Sequence, residues 1–221
     1  MTSMTLPGRT LVTATGADAL GLLQRLTSND LSPLETGEGG IYTLLLTPQG
    51  RYLHDFFVFR SGGDLYLDVP AAQVEALVVT LRKYNLRGDA VFAVVPGMYA
   101  RLSDAPAGLA FRDPRHTELG WRCWSDEVAT NDDAYQVRRI GLGLVEPSTD
   151  MKPGTSLPLE FGLESLNAIS FSKGCYTGQE MTARMQNRGL AKHRLVAGTP
   201  GDEGVMIAEA GGVALLQIRK I

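Results

Sequence analysis

With 221 residues, of which 44% are hydrophobic and 20% charged, the chain can bury a sizeable core and is not a disordered segment. Its formal charge of −3 excludes a basic footprint over the whole surface, so any contact with nucleic acid must be local. Two cysteines, Cys123 and Cys175, exclude a disulfide framework, and three scattered histidines, His54, His116 and His193, add no close-spaced metal ligands.

The opening MTSMTLPGRTLV lacks the basic and apolar regions of a secretion signal. No apolar run reaches the ~20 residues needed to cross a bilayer. The expected location is a reducing cytoplasm, with no membrane partner.

RTLVTAT (9–15) reads as a strand, and ADALGLLQRLTSND after Gly16 as a helix with Leu20, Leu23 and Leu26 on its buried stripe. IYTLLLT (41–47) and RYLHDFFVFR (51–60) flank the turn Pro48-Gln49-Gly50 and form a hairpin. LYLDV follows as a strand. Pro70 then opens a helix whose core face is Val74, Leu77, Val78 and Leu81. AVFAVVP (90–96), YARLSD and GWRCW are strands, FRDPRHTE a loop, and AYQVRRIGLG a short helix closed by glycine. Pro147 to Pro158 is expected to wrap the surface, and HRLVAGT, GVMIAE and VALLQIRK to be closing strands. Strands and helices mix without βαβ alternation, which makes the fold class α+β.

Three features carry chemistry. Lys173-Gly174-Cys175-Tyr176-Thr177-Gly178-Gln179-Glu180 puts one cysteine between two glycines that free the backbone to turn tightly. Lys173 and a helix starting at Gly178 would both favour thiolate at Cys175, and Glu180, Arg184 and Arg188 would share one helical face. The competing reading makes Cys175 a small buried hydrophobe. Cys123, between Trp121 and Trp124, is read as a packed strand cysteine.

The second feature is Asp55, in a strand apolar on both faces. Leu53, Asp55, Phe57 and Phe59 share one face; Tyr52, His54, Phe56 and Val58 share the other. A buried carboxylate needs a partner, either internal or a ligand amine. The third is the run 181–201, where Arg184, Arg188, Lys192 and Arg194 occur without an acidic residue. It is either a landing site for anions or a solvated surface.

KGCYTGQE followed by MTAR and RG resembles the signature of the YgfZ family, relatives of the glycine-cleavage T-protein. Weaker islands support it: GADALGLLQRLTSND, the PQGR turn, LRKY, and YQVRRIGLG ahead of LPLEFGL. The resemblance implies an aminomethyltransferase-like folate-binding fold: a T-protein-like region over 1–189, then a shortened C-terminal β-barrel portion over 190–221. It implies tetrahydrofolate as cofactor and a role in assembling or repairing iron–sulfur proteins, including tRNA-thiolating enzymes. The partners would be those proteins or their assembly factors, with tRNA linked indirectly.

The resemblance makes Cys175 the key thiol, with Lys173, Gly174, Tyr176, Gly178, Gln179, Glu180 and Arg188 in its motif. Asp55, Tyr135 and Arg184 are its folate-binding positions. Where relatives carry a pterin-gripping glutamate this chain has Gly141, so folate binding is expected to be weakened or served by another carboxylate such as Glu160. Two other classes stay open: an aminomethyltransferase using Asp55, and a non-catalytic scaffold presenting the basic stretch to protein or tRNA.

Overall fold

The computed structural model describes residues 3–127 and 133–220. Its first strand, β1 (Met4–Thr5), joins a sheet completed far downstream. Next come β2 (Arg9–Thr15), helix α1 (Ala19–Leu26), β3 (Gly39–Leu46), β4 (Tyr52–Ser61), β5 (Asp64–Pro70), helix α2 (Val74–Tyr84) and β6 (Val91–Val95). The five strands form an antiparallel sheet in the order β3-β4-β5-β2-β6.

Because side chains alternate, this sheet has two apolar faces. One is covered by α1 and α2, whose Leu22, Leu23, Leu26, Leu77 and Leu81 pack with Val12, Phe56, Val58 and Leu67. Each fully buried leucine contributes about 1.5–3 kcal/mol relative to exposure. In α1, Leu22 takes the buried place expected for Leu20, which is only partly covered. In α2, Val74 and Val78 lie at the rim.

The other face meets a second sheet, built from β1, β7 (Tyr99–Ser103), β8 (Leu109–Arg112) and β9 (Trp121–Ser125) in the order β1-β7-β9-β8. Phe111 stacks on Phe59 with ring centroids 4.6 Å apart. The sheets come so close that a Cβ on Gly40 would stand 2.0 Å from the Phe111 ring, which is why that strand position has no side chain. The loop expected over FRDPRHTE begins only at Asp113; Phe111 and Arg112 are paired with Arg122 and Trp121.

Helices α3 (Asp133–Gly141), α4 (Pro147–Asp150) and α5 (Gln179–Asn187) follow. The last strands, β10 (His193–Gly198), β11 (Val205–Ala210) and β12 (Val213–Arg219), form an antiparallel sheet in the order β10-β12-β11, packed on α3. The segment from Pro147 to Pro158 does not simply wrap the surface. Pro147 and Met151 are buried, and the start of β4 holds the backbone: Gly154 N donates to Tyr52 O at 2.7 Å and Tyr52 N to Ser156 O at 3.0 Å.

Candidate functional site

Between the two sheets lies a set of charges in otherwise apolar surroundings. Arg9, Arg115 and Arg122 face Asp55, Asp68, Asp113 and Glu146, all drawn from strands or their ends except Arg115, in the loop between β8 and β9, and Glu146, which precedes α4. Arg9 Nε donates to Asp68 at 2.6 Å, and Arg122 bridges Asp68 at 2.8 Å and Asp113 at 3.1 Å. Arg115 grips Asp113 at 2.9 Å, while Glu146 accepts from Arg9 at 3.2 Å and Arg115 at 3.3 Å. The Arg122 guanidinium also lies 4.1 Å from the Phe57 ring centroid, a cation–π contact.

Asp55 is 0% exposed, and both its oxygens are taken: Tyr52 donates to one at 2.8 Å and Tyr42 to the other at 3.0 Å. Gln73 Nε2 in turn donates to the Tyr52 hydroxyl at 2.8 Å, and its oxygen sits 3.2 Å from His54 Nδ1. Strand alternation puts Tyr52 on the opposite face from Asp55. A β-bulge reverses this: Leu45 pairs with His54 but Leu46 with Tyr52, which leaves Leu53 as the extra residue. Four carboxylates meet three guanidiniums, and Asp55 carries the mismatch. Burial and the nearby Glu146 charge push its pKa up to about 6. Burial also works to raise the Glu146 carboxyl, but Arg115, Arg9 and the Tyr135 hydroxyl outweigh it and hold it at about 2.

A cavity of about 340 Å³ opens beside this cluster, walled by Pro70, Tyr135, Gln136 and Thr149, with Arg9, Arg122 and Glu146 in its floor. Tyr135, the aromatic expected at a folate site, is therefore in the wall, and its hydroxyl donates to Glu146 and accepts from Arg115. Asp55 does not line the cavity. Glu146 does, but both its oxygens already hold internal donors. The donor edge of a pterin finds no uncommitted carboxylate among the residues lining this cavity, so these residues do not fit tetrahydrofolate in the grip that the resemblance implies.

Two expected folate positions, Glu160 and Arg184, do not line the cavity. Glu160 lies away from the cavity, 3.5 Å from His193 Nδ1 and accepting from the Lys192 amide at 3.4 Å. Arg184 is half exposed and paired with Glu180 at 3.3 Å, the first rung of the expected ladder. Gly141 is exposed, and a side chain there would meet nothing within 4 Å. The carboxylate at the cavity is Glu146, which sequence reading missed. Its signal was an acid set between Leu144-Val145 and a proline, and Asp68 and Arg122 likewise interrupt apolar strands.

Cys175 is exposed, whereas Cys123 is buried in β9 with its thiol donating to Ala105 O at 3.7 Å. Cys175 does not line the cavity either. Gly178 does need to be glycine: its φ is +86°, and a Cβ would lie 2.5 Å from Thr47 O in the β3–β4 turn. Gly174 has open space around it and no such constraint. Tyr176 is buried, and Gln179 N donates to its carbonyl at 3.3 Å as α5 begins.

Lys173 is not free to act on the thiol. Its ammonium donates to the carbonyls of Gln24, Thr27 and Asn29, each at 2.7 Å. Burial pulls its pKa down to about 8, and the nearby Asp30 charge works in the opposite direction.

The structure resembles the glycine cleavage system aminomethyltransferase T of Bartonella henselae, with a TM-score of 0.70 over 98% of this chain and 78% of that one, at 13% identity. The fold is that of the aminomethyltransferases. No protein-family model matches the chain. In sequence it is similar to the iron–sulfur cluster assembly factor IBA57 proteins. It is 31% identical to that of Mus musculus over 88% of this chain and 65% of the relative. For Homo sapiens the figures are 31%, 86% and 64%, and for the Pyricularia oryzae homologue 30%, 86% and 55%. The chain thus spans between about half and two thirds of these relatives' length. All three are named as mitochondrial, which overturns the expected cytoplasmic location. A cysteine count speaks to redox conditions and does not distinguish one compartment from another.

Proposed function

We propose that this chain is an accessory factor for the assembly or repair of iron–sulfur proteins, with Cys175 as its working thiol and those proteins or their assembly factors as its partners. The observation that carries the reading is an exposed cysteine, in a loop braced on both sides, in a chain similar to proteins named as cluster assembly factors. Iron–sulfur clusters take several thiolate ligands. Cys123 is sealed in the sheet, so this chain offers one, and the remaining ligands of a cluster in transit come from the partner. The cluster is cargo here. The region up to 189 presents the thiol, and the strands from 190 onward close the surface around α3.

Aminomethyl transfer is disfavoured, because Asp55 reaches neither the cavity nor solvent. Folate is not required by this proposal. Titration calorimetry with tetrahydrofolate is expected to show no binding at micromolar ligand; a micromolar Kd would restore the folate reading.

The test of the thiol is genetic and direct. In cells whose own copy is replaced by Cys175→Ser, the activity of a [4Fe–4S] dehydratase is expected to fall to the level of a deletion strain. Cys123→Ser retains it. Since Cys175 is exposed, the melting temperature of the purified variant stays close to that of the parent, within about 0.5 kcal/mol of stability. Wild-type dehydratase activity with Cys175→Ser would overturn the proposal. If tRNA-thiolating enzymes are among the clients, the thiolated base is lost in the same strain.

A further inference from the structure

Two sequence islands that looked separate, the LTSND end of α1 and the cysteine motif, meet in the folded chain. Ser28 Oγ donates to Ala168 O at 2.7 Å, Ser170 N to Ser28 O at 3.0 Å, and Asn29 Nδ2 to Asn167 O at 2.6 Å. The chain then turns, with Lys173 N donating to Ser170 Oγ at 3.1 Å, and the Lys173 side chain runs back to the end of α1. There its ammonium meets the carbonyls of Gln24, Thr27 and Asn29, and it lies 5.5 Å from the Tyr176 ring centroid.

The last turn of a helix leaves carbonyls without intrahelical donors and carries the negative end of its dipole. A primary ammonium has three N–H groups; the three carbonyls are its close acceptors, with Gln24 Oε1 a longer fourth at 3.4 Å. The planar fork of an arginine does not reproduce that convergence. The residues flanking Cys175 are therefore both tethered: Lys173 to α1, and Tyr176 in the core.

We propose that Lys173 is a positioning residue: by capping α1 from a distance it fixes the loop that presents Cys175, rather than activating the thiol by its charge. The inference rests on the reading of Cys175 as the working thiol, but its test does not.

A nitroxide label on Cys175 reads the loop directly, and Cys123, being buried, reports whether the whole fold has opened. In Lys173→Met the label is expected to tumble faster, its correlation time shortened by about threefold or more, while Cys123 stays unreactive. Lys173→Arg, which keeps charge and bulk, gives an intermediate spectrum. An unchanged label spectrum in both variants would overturn the proposal. So would labelling of Cys123 in both variants, which would make Lys173 a support of the whole fold. Loss of dehydratase activity in Cys175→Ser is a separate outcome, so a failure of the functional reading is distinguishable from a failure of this one.

Discussion

Replacing Arg122 with Met is expected to lower the free energy of unfolding by about 3–5 kcal/mol at pH 7, read from urea denaturation. Arg122 is fully buried, pairs with Asp68 at 2.8 Å and Asp113 at 3.1 Å, and lies against Phe57. Methionine replaces much of the volume but none of the charge. Asp68 then depends on Arg9 alone for its charge, and Asp113 on Arg115 alone, with both carboxylates buried. Burying an undercompensated carboxylate is costlier than losing an exposed ion pair, which is worth at most about 1 kcal/mol. A loss below that figure would mean the remaining guanidiniums suffice.

Asp55→Asn is expected to act in the opposite direction, and to depend on pH. The carboxyl of Asp55 is raised to about 6 in the folded protein, against about 3.9 when unfolded. A group raised in this way contributes stability in its protonated form. That contribution is complete below about pH 4 and disappears as the pH rises through about 6. At pH 8 the charged group is a burden of the order of 2–3 kcal/mol, which the neutral amide removes. The amide offers one acceptor where the carboxylate offered two, so one tyrosine hydroxyl must reverse its hydrogen bond, and the net gain is expected at about 1–2 kcal/mol. Glu146 and Asp113, both held at about 2, work the other way: their stabilisation is present above about pH 4.5 and is lost as the pH falls toward 2. The parent protein should therefore be most stable between about pH 4.5 and 6, and Asp55→Asn should extend that plateau upward. Thermal melts at half-unit pH steps test both statements. A gain that does not change between pH 5 and pH 8 would contradict the assignment.

The strands, the two helices over the first sheet and the hairpin at Pro48 were legible because each is a local pattern. Alternation and helical spacing recover β2 to β7, α2 and the three closing strands nearly to their ends. What stayed hidden depends on partners distant in sequence. Asp55 is satisfied by Tyr52 only because one extra residue in β4 turns the tyrosine over, and strict alternation cannot register a bulge. Glu146 could not be chosen over Glu160, since what separates them is the presence of Arg9 and Arg115, which lie 137 and 31 positions earlier in the chain. Lys173 was read by its distance from Cys175 along the sequence, whereas its ammonium is committed to Gln24, Thr27 and Asn29, some 144 to 149 positions before it. The motif singled out Cys175, and the structure tells what holds the residues on either side of it.

The charges between the sheets also bear on how the molecule could be divided. Residue 9 supplies one cation, the hairpin strands two acids, the neighbourhood of β8 and β9 two more cations and an acid, and the approach to α4 the last acid. Only a piece that spans residues 9 to 146 holds all seven of these charges. A fragment ending before Asp113 would keep Arg9, Asp55 and Asp68 but lack Arg115, Arg122 and Glu146, and would also lose β9, the centre of the second sheet. The two sheets are thus bound into a single cooperative unit, and cutting the protein into halves should yield two pieces that do not fold instead of two smaller folds.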